Sequence, residues 1–237
     1  MEFIGDVIAF FADGANWSGT GGILERTLEH LGLSAFSMAV AAGIAIPPAL
    51  YLGHTGRGGL LAVSIVNIGR AIPSFAIVAL ALPISINLGL GLGFWPTFMA
   101  LVALALPPMF TNTFTGIREV EQTTVEAARG MGMKEAEILR GIQMPMASPV
   151  ILAAVRVTAV QVVATATLGA WVAWGGLGRY ILDGFSQRDN VEVFVGGALV
   201  GVLAIGTDLF FSFVERRAVP VGLRSRSVVG EASSQVA

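Results

Sequence analysis

Apolar residues run along this chain in long blocks with few interruptions. Residues 33–52 carry no charge, and residues 71–117 contain no Asp, Glu, Lys or Arg. An ionised side chain is costly in hydrocarbon, and a helix that crosses the bilayer core needs about 20 mostly apolar residues. The charge-poor blocks therefore read as membrane spans. The pattern predicts five of them, over residues 33–52, 60–84, 95–117, 150–174 and 193–213. A glycine-rich segment, residues 87–93, separates the second from the third. Arg70 interrupts the second span, and Pro73 is a point at which it can split into two shorter helices. These segments do not alternate apolar with polar residues, so a closed β-barrel does not fit. The fold class is all-α, a polytopic membrane helix bundle.

Composition sharpens this reading. Hydrophobic residues make up 54% of the 237, while charged residues make up only 13%, against roughly 25% in soluble domains. Mean hydropathy is +0.76. That much apolar surface cannot be hidden in one soluble domain of this length. With no cysteine there is no disulfide framework, thiolate metal site or cysteine nucleophile, and the only histidines are His30 and His54. A net charge of −2 argues against a nucleic-acid partner.

Basic residues orient the spans. Arg57, Arg118, Arg129, Lys134, Arg140, Arg216, Arg217, Arg224 and Arg226 collect on one side, and Arg26, Arg179 and Arg188 on the other. The first side is expected to be cytoplasmic, with the N-terminus outside and the C-terminus inside. Three regions follow: an N-terminal interfacial segment (1–32), a transmembrane domain (33–217) and a polar cytoplasmic tail (218–237). Glu2 and Asp6 stand where a signal peptide would be basic. Residues 1–11 read as an interfacial helix, and residues 22–31 as a second helix leading into the first span.

The longest polar segment, residues 118–147, lies between the third and fourth spans. Two helix-forming stretches flank Gly130 and Gly132, which predicts a helix, a break and a second helix ended by Pro145. Met133, Ala136 and Leu139 recur at three-residue spacing on one face, with Lys134 and Glu137 on another. Such a helix either docks into a groove on a soluble partner or lies on lipid headgroups.

Glu126-Ala127-Ala128, Gly132 and Ile142-Gln143-Met144-Pro145 resemble the E-A-A-x3-G-x9-I-x-L-P loop of binding-protein-dependent ABC importer permeases. Met144 replaces the usual leucine, an apolar exchange of similar volume. Residues 67–80 around Ile72-Pro73-Ser74, the Gly175-Gly176-Leu177-Gly178 run with Ile181 and Gly184, and Asp208 with Glu215-Arg216-Arg217 look like the glycine betaine, choline and carnitine branch. The likeness covers about residues 25–220.

The resemblance implies a cytoplasmic coupling helix seated in a cleft of an ATPase subunit. Its residues would be Glu126, Ala127, Ala128, Gly132, Met133, Ala136, Leu139, Ile142 and Pro145. It implies as partners two ATPase subunits, a second permease subunit and an extracytoplasmic solute-binding protein, within membrane lipid. No G-x-x-x-x-G-K-[ST] occurs, so no cofactor is expected on this chain; ATP and Mg would bind the ATPase. The chain is then a non-catalytic permease subunit importing quaternary-ammonium solutes, in the plasma membrane of a prokaryote. The same fold could carry another small solute, such as an amino acid or vitamin. A proton-driven carrier would work without an ATPase, and an intramembrane enzyme would need clustered His, Ser or paired acids.

Candidates to line the translocation path are Asn112 and Thr113 in the third span, Gln161 and Thr165 in the fourth, and Asp208 in the fifth. Each has a structural alternative. The first four can hydrogen-bond between helices or to their own backbone. Asp208 can pair with Arg70 or Arg156, or reach the cytoplasmic surface near Glu215-Arg216-Arg217.

Overall fold

A computed structural model describes residues 2–219. The tail expected at 218–237 lies almost wholly outside the described residues. Within them every element is helical. In chain order they are α1 (Glu2–Ala12), α2 (Ile23–Thr55), α3 (Gly59–Ile68), α4 (Ser74–Asn87), α5 (Phe94–Arg118), α6 (Gln122–Gly130), α7 (Glu135–Ile138), α8 (Met144–Thr165), α9 (Gly178–Gln187) and α10 (Asn190–Ala218). A π-helical turn, Leu139–Gln143, joins α7 to α8, and a 3₁₀ stretch, Ala166–Val172, extends α8.

Among the described residues four helical runs are long and apolar enough to cross a membrane: α2, α5, the run Glu135–Val172, and α10. The pair α3 and α4 makes a fifth if counted as one broken span. The second span is therefore split. A 3₁₀ turn, Gly69–Ala71, ends its first half, and Pro73 precedes the first residue of α4. Proline lacks the N–H that a helix interior needs and pushes the residue before it out of the helical region.

Two expected boundaries are corrected. Residues 22–31 do not form a separate helix, because α2 runs unbroken through them. Ile23, His30, Leu33, Ser34, Ser37 and Ala41 are buried along it. That continuous packed stripe outweighs the roughly 1 kcal/mol that Gly32 costs in mid-helix. Nor does Pro145 end the coupling helix. The backbone N–H of Met144 donates to the carbonyl of Leu139, five residues back. The wide turn takes up the missing proline donor, and the helix continues into the fourth span.

The chain divides into two compact units. Among the described residues, one comprises 2–41, 69–105 and 159–207. Its packing includes a cluster of Ile23, Leu177 and Tyr180 against Phe10, Phe11 and Leu203, and another of Val78, Ala100 and Val172. Aromatic rings add to it: Phe94 stacks on Phe98, and both approach Phe36 and Trp95. Among the described residues, the second unit holds 42–68, 106–158 and 208–219. Its cluster of Val120, Val125, Ala128 and Ile138 packs with Met133, Ile142 and Met146, and this positions the polar loop.

Candidate functional site

The loop after α5 is a packed helical hairpin. In α6 the helical period turns Val125 and Ala128 inward, while Glu126 and Ala127 face outward and are exposed. The Glu-Ala-Ala triplet is thus divided: Ala128 belongs to the hairpin core, and its two neighbours belong to the surface.

Gly132 has a local cause. It is the first residue beyond the C-cap of α6 and has φ +84°. Its N–H donates to the carbonyl of Arg129 (2.9 Å), and the N–H of Met133 donates to that of Ala128 (3.2 Å). These two bonds are a Schellman motif, with glycine at the left-handed position. Met133 then folds back onto Ala128 and Val125. A Cβ at Gly132 would meet nothing within 4 Å, so this corner of the hairpin is open.

In α7 the carboxylate of Glu137 accepts from the backbone N–H of Lys134 (2.9 Å). Ile138 is fully buried. Arg129 donates twice to Glu135, at 2.7 and 2.9 Å, and this guanidinium holds the Glu135 carboxyl below the usual range. Met133, Ala136, Glu137, Arg140 and Gly141 line an open groove of about 520 Å³. Glu137 shares this groove with Met133 and Ala136, although simple three-residue spacing put it on another face. Leu139, Ile142 and Pro145 are half-buried.

The pathway candidates sit in varied surroundings. Thr113 is buried, and the amide of Asn112 donates to the carbonyl of Pro108 (2.7 Å). Gln161 is exposed and Thr165 half-buried. Asp208 accepts two bonds from Arg156, at 2.7 and 2.8 Å, with Glu215 at 3.6 Å from the same guanidinium. Of the two arginines considered for Asp208, the partner is Arg156.

A second arrangement, not foreseen, surrounds the Gly175-Gly176-Leu177-Gly178 run. Glu29 accepts from the backbone N–H of Gly176 (2.7 Å) and from Arg26 (2.9 Å). His30 Nδ1 accepts from the N–H of Leu177 (3.3 Å), and its Nε2 lies 2.8 Å from the carbonyl of Val163. A carbonyl only accepts, so the ring is neutral with its proton on Nε2. The Tyr180 hydroxyl donates to the carbonyl of Gly21 (2.9 Å), and burial pushes the pKa of this phenol up. A Cβ at Gly175 would lie 2.1 Å from Glu29 Oε2. The glycines are thus explained by what presses on them.

The family model described as the binding-protein-dependent transport system inner membrane component matches residues 39–220. This chain belongs to that family. As such it is a multi-pass membrane protein of an ABC-type transport system. Its relatives include the choline transport system permease protein OpuBB of Bacillus subtilis (strain 168), 35% identical over 86% of this chain and 92% of that protein. The carnitine transport permease protein OpuCB of Listeria monocytogenes is 30% identical over 95% of this chain and 99% of that one. Among solved structures, the MetNI methionine ABC transporter in an inward-facing conformation has the same fold. It aligns with a TM-score of 0.73, covering 84% of this permease-family chain and 97% of the other at 22% identity.

The sequence pattern did not mark Glu135 and Gln143 in the hairpin, His54 at the end of α2 against them, or Glu29 and His30 beside the glycine run. Each acts through a contact distant in sequence, so no local pattern marks it.

Proposed function

We propose that this chain is the permease subunit of an ATP-driven importer of quaternary-ammonium solutes such as choline, glycine betaine or carnitine. The hairpin, residues 122–143, docks on a separate ATPase subunit, which carries ATP and Mg. Glu126, Ala127, Ala136 and the groove beside Met133 and Arg140 form the docking face, while Ala128, Gly132 and Ile142 hold its shape. The side bearing Arg57, Arg118 and the hairpin is cytoplasmic, and the N-terminus is outside. A second permease subunit completes the conduit, and an extracytoplasmic binding protein delivers the solute. A solute with no N–H donors is well held by aromatic faces, and that cage belongs to the binding protein.

The observation that carries this reading is the outward face of the Glu-Ala-Ala hairpin: an exposed, charged rim around an apolar groove, on a rigid support. The choline and carnitine transport roles of the relatives support the solute class. A groove of this kind suits a helical element docked between protein surfaces better than lipid headgroups, because its charged rim includes both Glu137 and Arg140.

The test is co-purification with the ATPase subunits, followed by uptake of labelled choline, glycine betaine, carnitine and amino acids. Glu126→Lys and Gly132→Asp are expected to release the ATPase and abolish uptake while the permease itself still accumulates in the membrane. Variants that keep both assembly and uptake refute the docking role. Uptake of an amino acid alone refutes the solute class and leaves the docking role standing.

A further inference from the structure

The hairpin is continuous in the chain with α5 and with α8. Helix α2 has no such link, so any displacement of the hairpin reaches it through noncovalent contacts. His54, in the last turn of α2, supplies two of them. Its side chain is only 9% exposed, and its two nitrogens face two different parts of the hairpin. Nε2 lies 3.0 Å from Oε2 of Glu135, the first residue of α7. Nδ1 lies 2.5 Å from Oε1 of Gln143, which is buried in the π-helical turn leading into α8.

A carboxylate and an amide oxygen both accept only, so the two contacts call for a proton on each ring nitrogen, Nε2 donating toward Glu135 and Nδ1 toward the Gln143 oxygen. Glu135 is in turn clasped by Arg129, which ties the contact back to α6. The end of α2 is seated firmly as well. A Cβ at Gly53 would lie 2.9 Å from Cβ of Ile117, and one at Gly56 would lie 2.7 Å from Arg118 Nη1. The imidazole therefore bridges two well-packed bodies with little slack. Coupling between separated sites travels through contiguous packed and hydrogen-bonded networks of this kind.

We infer that His54 is a positioning residue for energy coupling, linking movement of the hairpin to the first membrane span through Glu135 and Gln143. This rests on the reading that the hairpin docks on the ATPase.

The test uses the complete transporter in proteoliposomes, with its ATPase and binding protein, and labelled choline or glycine betaine. The readout is ATP hydrolysed per solute imported in complexes of verified subunit composition. His54→Ala and Glu135→Ala are each expected to raise that ratio about 2- to 30-fold while the complex stays assembled and hydrolyses ATP. The double variant should be no worse than the worse single one, because both remove the same link. His54→Gln, which retains a donor, should recover part of the coupling.

A ratio unchanged in either assembled single variant overturns the inference, and so does a double variant whose effect is the product of the two. Glu135 is on the surface, so Glu135→Ala decides the matter if His54→Ala does not accumulate. Failure of the docking reading appears separately, as assembly and uptake that survive Glu126→Lys.

Discussion

Gly178 offers a direct check on the packing around the glycine run. It opens α9, and a Cβ there would lie 2.2 Å from the carbonyl oxygen of Thr167 and 2.8 Å from its Cα. Both are backbone atoms, so no side-chain rotation relieves the clash. Ordinary non-bonded contact is about 3.5–4.0 Å, which means that α9 or the 3₁₀ stretch must move by more than about 1 Å. Such a move disturbs Leu177 and Tyr180, which pack with Ile23, Phe10 and Phe11. Overpacking of this kind costs about 1–3 kcal/mol. Gly197 is the control, since a Cβ on it meets nothing within 4 Å and it lies inside α10. Alanine there should stabilise the helix by about 0.5–1 kcal/mol. The two variants should then differ by about 1.5–4 kcal/mol, or at least about 3 °C in Tm for a chain of this size. Thermal unfolding of both proteins in one detergent measures the difference. Gly178→Ala melting at or above Gly197→Ala would refute the reasoning.

Two further outcomes test the ion pair and the histidine clamp. Asp208→Asn removes the doubly bonded partner of Arg156; because both side chains are about a third exposed, solvent screening keeps the expected fall in melting temperature small. The swapped pair, Arg156→Asp with Asp208→Arg, should recover part of the melting temperature, the new aspartate beside Glu215 limiting the recovery; an unchanged melting temperature in Asp208→Asn would mean that the pair is structurally idle. His30→Phe leaves the N–H of Leu177 and the carbonyl of Val163 without their partner, at about 1–3 kcal/mol for each orphaned group. Hydrogen exchange at the Leu177 amide should quicken by at least about tenfold, a change of 1.4 kcal/mol, and an unchanged rate would show that the bond is not holding the loop.

The membrane spans were legible because charge is so costly in hydrocarbon that its absence marks them without help from tertiary structure. The same holds for the hairpin, where glycine and helix-forming residues are local signals. Even Gly132 follows a local rule, since a Schellman motif joins residues only a few positions apart. The break at Pro73 was visible for the same reason. What the pattern left open was whether helices join across weak signals. Gly32 and Pro145 both argue locally for an interruption, and in both places the helix continues, because a packed stripe or a π-helical turn offsets the local penalty.

Polar residues posed the harder question, because their roles depend on partners far along the chain. Asp208 illustrates this: the sequence admits Arg70, Arg156 or the membrane surface, and only folding selects Arg156. His30 meets Val163 across 133 positions and Leu177 across 147. The glycine run looks like a flexible loop when read alone. Glu29, His30 and Thr167 make it a tightly filled one, in which a missing side chain is a matter of space. His54 carries the same lesson into function. Nothing about one histidine before a Gly-Arg-Gly-Gly turn marks it, yet folding places one nitrogen against the first residue of α7 and the other against the last residue of the π-helical turn that leads into α8. If energy enters at the hairpin, residues of this type decide which spans feel it. They are found by asking which side chains join elements that the chain does not.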